Sequence, residues 1–251
     1  MKKIIVFLIF IVAIGIIVYF FYPSVEEKTI EYTNNGEKIK ILNEKNEIIF
    51  EYDIFEFQKW AKENWDNIFE TRPAFGEVRE VNPEYFYVFD NTAAISPSNN
   101  FLAFSVNDYA VATNISFVGK INIKTKEISL VKDKNIGGIR ALIWSPKETH
   151  VAYILDTARS AGDYLSVDNV LEMKKEFTLS DDDIIKALME EEDANYQSEI
   201  YAELMPDFRN IKWIEKGEKL EFISSSYDKK AIRWNIDFNG KNLEKEGIFE
   251  K

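Results

Sequence analysis

SPSNNFLAF, residues 96–104, is followed 49 positions later by SPKETHVAY, residues 145–153. Both read Ser-Pro, four mostly polar residues, an aliphatic, Ala and an aromatic. A third segment aligns without gaps: KWIEKGEKLEF (212–222) beneath IWSPKETHVAY (143–153) and AISPSNNFLAF (94–104). The aliphatic column holds Leu102, Val151 and Leu220, and the aromatic column Phe104, Tyr153 and Phe222. Trp144 and Trp213 stand where the first copy has Ile95. Ser-Pro and the polar residues after it suit a turn before a strand, where Pro fixes φ and removes a donor the ladder does not need. In the strand itself the aliphatic and aromatic positions alternate toward a sheet-to-sheet interface. The stretch therefore reads as one structural unit used repeatedly, and not as an active-site motif.

The text around the copies supports this reading. EYFYVFD, FLAFSV, YAVATNISFV and KINIKTKEISLV, between Glu84 and Val131, are rich in β-branched and aromatic residues with turn signals between them. IRALIW, HVAYIL and DYLSV form a second run, and IKWI, KLEFISS and AIRWNIDF a third. The copies lie 49 and 69 residues apart, and the excess of roughly 20 residues corresponds to a helix-like segment from Ser180 to Leu204. Ser180 and Asp183 resemble a capping box, and Asp181–Asp183 suit the positive end of a helix dipole. Ile184, Leu188, Tyr196, Ile200 and Leu204 make its apolar stripe. A second helix is expected over about 55–70, from Phe57, Ala61, Trp65 and Ile68 at helical spacing. IKILNEKNEIIFEYDI predicts two strands around a turn at Asn43–Asn46.

Units of about 40–50 residues made of short strands are the signature of β-propeller blades. S-P-x-x-x-x-[LV]-A-[FY] preceded by Trp resembles the W-S-P-D-G-x-x-[IL]-A-[FY] motif of the TolB-type, WD40-like propeller repeats, over about residues 85–245. NIDFNGKN resembles the outer strand and turn of those repeats. The usual Asp-Gly is Ser98-Asn99 and Lys147-Glu148 here, and only the Lys216-Gly217 copy keeps a Gly. The resemblance implies a fold and no catalytic residues. Three blades cannot close a ring, because propellers usually have at least four. Either strands within 38–54 add a degenerate fourth blade, or the propeller is partial, with its edges capped by the helices or by a partner.

The N-terminus is of another kind. After Lys2 and Lys3 come nineteen uncharged residues, 4–22, enough for a helix about 28 Å long against a hydrocarbon core of roughly 30 Å. The flanking lysines and the following Glu26 and Glu27 predict a cytoplasmic N-terminus with the remainder outside. A cleaved signal would have a shorter apolar region and a small-x-small site, whereas this run ends in YFFYPS. The expected organisation is a transmembrane signal-anchor at 1–23, a polar stalk at 24–37 and an extracytoplasmic propeller-like domain at 38–251. The fold class is thus mostly β: a small or incomplete WD40-like β-propeller with two helices, preceded by one transmembrane helix.

The absence of cysteine excludes disulfides and thiolate chemistry. A net charge of −12 argues against nucleic-acid partners. His150 is the one histidine; it cannot build a multi-histidine zinc site and, in the repeat turn, is expected to face solvent. Ser226–Lys229 fits S-x-x-K, but in a strand–turn–strand context and not at a helix start. Asp237–Gly240 lacks the spacing of a calcium loop and reads as an Asn-Gly hairpin. Glu190–Asp193 reads as a solvated helix face, and Asn114-Ile115-Ser116 is a formal glycosylation sequon. No cofactor is implied. The least strand-like stretch within a blade is DTARSAGDYLSVD (156–168), whose Asp156, Arg159, Asp163 and Asp168 form the candidate recognition loop. The function expected is membrane-anchored, non-enzymatic binding or scaffolding toward a protein or cell-envelope ligand. Alternatives are an envelope-polymer hydrolase using two carboxylates on a propeller face, and a sensory or regulatory ectodomain.

Overall fold

The computed structural model describes residues 28–33, 36–68, 86–108, 115–131, 135–156, 163–191, 207–225 and 230–250. The expected transmembrane segment lies outside them, and among the described residues no helix is long and apolar enough to cross a membrane. Strands β1 (Thr29–Thr33), β2 (Lys38–Leu42) and β3 (Ile48–Asp53) form sheet I, and α1 (Ile54–Ile68) follows. Sheet II holds β4 (Phe86–Ile95), β5 (Phe101–Asp108), β6 (Ile115–Asn122) and β7 (Ile128–Leu130), with the short β8 (Asn135–Ile136) also on β6. Sheet III holds β9 (Gly138–Trp144), β10 (His150–Asp156), β11 (Asp163–Asn169) and β12 (Lys174–Leu179); α2 (Asp181–Glu191) follows it. Sheet IV holds β13 (Asp207–Ile214), β14 (Lys219–Ser225), β15 (Lys230–Asp237) and β16 (Glu244–Glu250). In every sheet the main strands run as an antiparallel meander in chain order, the blade architecture that the repeat predicts.

Side-chain parity explains how the sheets stack. Neighbours along a strand point to opposite faces, so Leu102 and Phe104 join the apolar seam with sheet I, while Ala103 joins the seam with sheet III. In the second copy Val151 and Tyr153 face back to sheet II, and Ala152 faces on to sheet IV. Leu220 and Phe222 likewise face back to sheet III. Their intervening residue is Glu221, not Ala, and it meets Lys212 at 2.8 Å and Arg233 at 3.6 Å on the far face of sheet IV. Sheet I mirrors this. Ile39, Ile41, Phe50 and Tyr52 face sheet II, while Lys38 pairs with Asp53 at 3.2 Å and Lys40 with Glu51 at 3.3 Å on the other face. The stack thus ends in charge at both sides, and among the described residues no apolar cluster joins sheet I to sheet IV.

Two boundaries differ from the sequence reading. Residues 29–33, within the expected stalk, form β1, because Ile30 and Tyr32 alternate onto the seam between sheets I and II and pair with Ile41 and Ile39. Of the helix expected to Leu204, the structure describes Asp181–Glu191, and 192–204 fall outside the described residues. Its start is a reciprocal cap: Asp183 N–H donates to Ser180 Oγ at 3.3 Å, and Ser180 N–H donates to Asp183 Oδ2 at 2.8 Å. Ile184 and Ile185 are buried, Ile184 in the seam between sheets III and IV. In α1, Phe57 is wholly buried and packs edge-on against Phe89 and Phe104.

The turns before β5, β10 and β14 share one demand. Asn99, Glu148 and Gly217, aligned in the repeat, have φ of 61°, 55° and 89°. A left-handed residue other than Gly costs roughly 1–2 kcal/mol. Glu148 offsets that cost by reaching back to the preceding turn, where its carboxylate accepts from Ser98 N–H and, at 2.8 Å, from Ser98 Oγ. Lys147 reaches forward to Glu218 at 3.2 Å. Gly217 has a second reason to be Gly, since a Cβ there would lie 2.9 Å from Pro146 Cδ. Gly217→Ala therefore combines backbone strain with a clash, and should lower unfolding free energy by about 1–3 kcal/mol in urea titration. A neutral result would mean that the turn can move off Pro146 at no cost.

Candidate functional site

Within the candidate recognition stretch, Asp156 and Asp163 face each other across the β10–β11 hairpin. Asp156 is exposed, and Asp163 is buried. Asp163 shares its face with Leu165 and Val167, toward sheet IV. There Arg140 of β9 pairs with its carboxylate, and Phe208 N–H of β13 donates to Oδ2 at 3.2 Å. Arg140 Nη2 also lies 3.5 Å from Phe208 O. One carboxylate therefore brackets sheets III and IV. Asp168 points the other way, toward sheet II, and is fully buried with Tyr153 Oη donating to its Oδ2 at 2.9 Å. Arg159 and residues 157–162 lie outside the described residues. The structure brings Asp156 and Asp163 together and holds Asp168 on the opposite face of the sheet.

His150 is not in solvent, contrary to the expectation from its place beside the turn. It is buried, 9% exposed, because β10 begins with a side chain that faces sheet IV. Its ring centroid lies 6.4 Å from that of Trp213 and 5.2 Å from that of Phe238. Nδ1 lies 2.8 Å from Thr149 Oγ1, and Nε2 lies 3.8 Å from Glu176 Oε1. Asn169 Nδ2 donates to the same Glu176 oxygen at 3.0 Å, and Lys174 is 3.7 Å from it. Burial pushes the imidazole pKa below its ordinary value, against the opposing pull of Glu176. Hydroxyl, imidazole and carboxylate thus stand in a row. The distance to Glu176 is too long for a hydrogen bond, and two aromatic rings close over the imidazole. Nε2 is buried, and the residue forms part of the seam between sheets III and IV.

The alignment already contained the signal for this position. His150 occupies the column of Phe101, whose ring lies 6.4 Å from Trp144 in the seam between sheets II and III. An apolar residue in that column marks it as inward-facing. Arg140, by contrast, has no local signal, since its partner is set 23 residues away by strand register. Among the described residues no group of three or more His, Asp or Glu could hold a metal ion. Ser226–Lys229 lie outside the described residues. Asp237 is used within its own hairpin, where its carbonyl accepts from Gly240 N–H at 2.9 Å and its carboxylate from Asn242 Nδ2 at 2.7 Å. Ser116 of the sequon is buried, donating to Asn107 Oδ1 at 2.5 Å.

No family model and no curated protein matches the sequence. Among solved structures, the chain is similar to an oligogalacturonate lyase in complex with manganese, with a TM-score of 0.51 and 10% identity over 88% of this chain and 50% of that one. A Vibrio parahaemolyticus oligogalacturonate lyase gives 0.50, 10%, 88% and 50%. The β-propeller domain of the Trilobed protease from Pyrococcus furiosus gives 0.37 and 14% over 61% of this chain and 40% of that one. The likeness to the lyases is one of fold, of the β-propeller type. This chain spans about half of their length.

The bracket makes a sharp distinction within the predicted site. Asp163→Ala leaves Arg140 and Phe208 N–H without their shared acceptor and should cost about 2–4 kcal/mol in chemical denaturation. Asp156→Ala, at an exposed strand end, should stay within about 0.5 kcal/mol. Equal small effects would remove Asp163 from the framework and return it to the surface.

Proposed function

We propose that this chain is a membrane-anchored, extracytoplasmic binding or scaffold protein, non-enzymatic, that recognises a protein or cell-envelope ligand. The observation that carries the reading is the open-ended stack. Among the described residues, sheets I and IV each keep one face uncovered by another sheet, and both faces bear charged ladders. Faces and edge strands left open in this way are surfaces a partner can use. The two carboxylates of the predicted loop with described surroundings inside the fold, Asp163 and Asp168, are taken up by Arg140, Phe208 N–H and Tyr153, which favours binding through loops and faces over acid–base chemistry by those groups. Anchoring rests on the nineteen-residue uncharged run after Lys2 and Lys3. As the finer fold assignment we propose the TolB-type, WD40-like repeat, supported by the aligned turns and the alternation of Leu-Ala-Phe and Val-Ala-Tyr across two seams.

The test has two arms. In intact cells, added protease should digest the region after residue 28, and alkaline extraction should leave the chain in the membrane pellet. Release by alkali, or protection of the whole chain, would sink the anchored topology. Crosslinking followed by detergent purification should then recover a specific partner. Recovery should weaken at least severalfold when Lys38, Lys40, Lys212 and Arg233 are replaced by Glu. Unchanged recovery would exclude the terminal faces as the binding surface.

A further inference from the structure

The repeat supplies an internal control for the seam between sheets III and IV. In the seam between sheets II and III, the first residue of β5 and the last of β9 form the pair Phe101–Trp144, and Trp144 Nε1 donates to Ala94 O at 2.7 Å. The same two columns in the next seam hold His150 and Trp213 at the same ring separation of 6.4 Å. Here the pattern changes chemically. Trp213 Nε1 and His150 Nε2 are both buried with no hydrogen-bond partner. A buried polar atom without a partner costs roughly 1–3 kcal/mol, so this seam is weaker where the other is satisfied. The substitution also replaces a ring that cannot titrate with one that can.

We infer that His150 is a pH-responsive pin, which holds sheets III and IV together while neutral and loosens their rim-side contact when protonated. Thr149 sits at Nδ1; Asn169 of β11 lies opposite it in register; Glu176 and Lys174 of β12 and Glu172 of the preceding turn supply the charges; Trp213 of β13 and Phe238 after β15 close the side of sheet IV. Glu176 is the one group placed to stabilise an imidazolium directly, and it already accepts from Asn169 and neighbours Lys174. Burial is the largest influence on the imidazole and acts against its charge. The sign follows. A histidine whose pKa is depressed by folding contributes stability that is present above its unfolded value, about 6.5, and is lost as pH falls through the lower folded value. This inference concerns the fold alone and stands whether or not the chain is membrane-anchored.

Because the chain has a single histidine, imidazole resonances in the full chain in detergent report His150 without ambiguity. Their midpoint should lie below 6.5, and Glu176→Gln should lower it further. Amide exchange, corrected for its intrinsic pH dependence, should accelerate in β10, β13 and β14 by up to about tenfold per pH unit as pH falls from about 6.5 to that midpoint, the slope for one proton taken up on opening, and should level off below it. Sheets I and II should not share the acceleration. His150→Phe, which copies the Phe101 column, should abolish it, and His150→Gln serves the same purpose if the larger ring is not accommodated. A midpoint above 6.5 would overturn the inference. So would exchange that accelerates equally in the wild-type and both substituted chains, or that shows no acceleration in the wild type.

Discussion

Every sheet in this stack must present apolar side chains wherever another sheet lies against it and hydrated ones wherever none does. That constraint organises the rest of the structure. Sheets II and III are covered on both faces, so β5 and β10 are buried nearly from end to end. Among the described residues sheets I and IV are covered once, so their strands alternate, as in Lys38–Leu42 and in the Leu-Glu-Phe of β14. The middle residue of the repeated triplet registers the difference. Ala103 and Ala152 are small because a neighbour packs there; Glu221 is charged because none does. Another sheet against this face would have to desolvate Glu221, Lys212 and Arg233, whose ion pairs are already made, at a cost of several kcal/mol per ion. The same holds for Lys38, Lys40, Glu51 and Asp53 on sheet I. The ends of the stack therefore disfavour another apolar sheet and suit contacts that leave these charges hydrated or paired, in contrast to the apolar seams between sheets.

The rim holding the Ser-Pro turns carries a second level of order. Each turn needs a left-handed residue at one position, and the three copies meet that need differently, with Asn, Glu and Gly. Asn tolerates the conformation. Glu148 tolerates it because its side chain has a destination, the turn of the preceding sheet. Gly217 is required because Pro146 lies against it. One aligned column thus carries three local solutions, each set by what the turn touches in the next sheet. The backbone conformation thus persists down the column while its side chain changes.

Much of this was legible in the residues. Ser-Pro turns and the spaced Leu-Ala-Phe and Val-Ala-Tyr triplets locate β5, β10 and the sheets around them, because period-two alternation and turn chemistry are local. The cap at Ser180 and the buried Phe57 and Ala61 of α1 are local as well. The rest depends on register. β1 was hidden because TIEYT offers only Ile30 and Tyr32 as apolar positions, and its partner strand decides whether they are used. The acidic residues of 156–168 look like a ligand-binding set in sequence. Asp163 becomes a bracket only through Arg140 and Phe208, and Asp168 an interior acceptor only through Tyr153. No property of a carboxylate's neighbours in sequence distinguishes the two outcomes.

The seam between sheets III and IV is where these departures collect. It contains His150 in place of an aromatic ring, a tryptophan N–H without the carbonyl that satisfies its counterpart, the Arg140–Asp163 bracket, and the inserted helix whose Ile184 enters its core. The seam between sheets I and II is chiefly apolar, a force that changes little with pH, and the seam between sheets II and III adds the buried Asp168 on Tyr153 and Lys120 on the Val170 carbonyl. The seam between sheets III and IV carries charged and titratable groups at both rims of an apolar centre built on Phe208, Phe222 and Trp234. Apolar burial of that size, roughly 1.5–3 kcal/mol for each large side chain, keeps sheet IV in place under all conditions that leave the fold intact. The polar groups act on a smaller scale, and it is on that scale that the rims of the two sheets can part without unfolding. A seam whose rim carries a titratable pin has a defined place to loosen, and that place is set by a few residues where the third copy of the repeat meets the second.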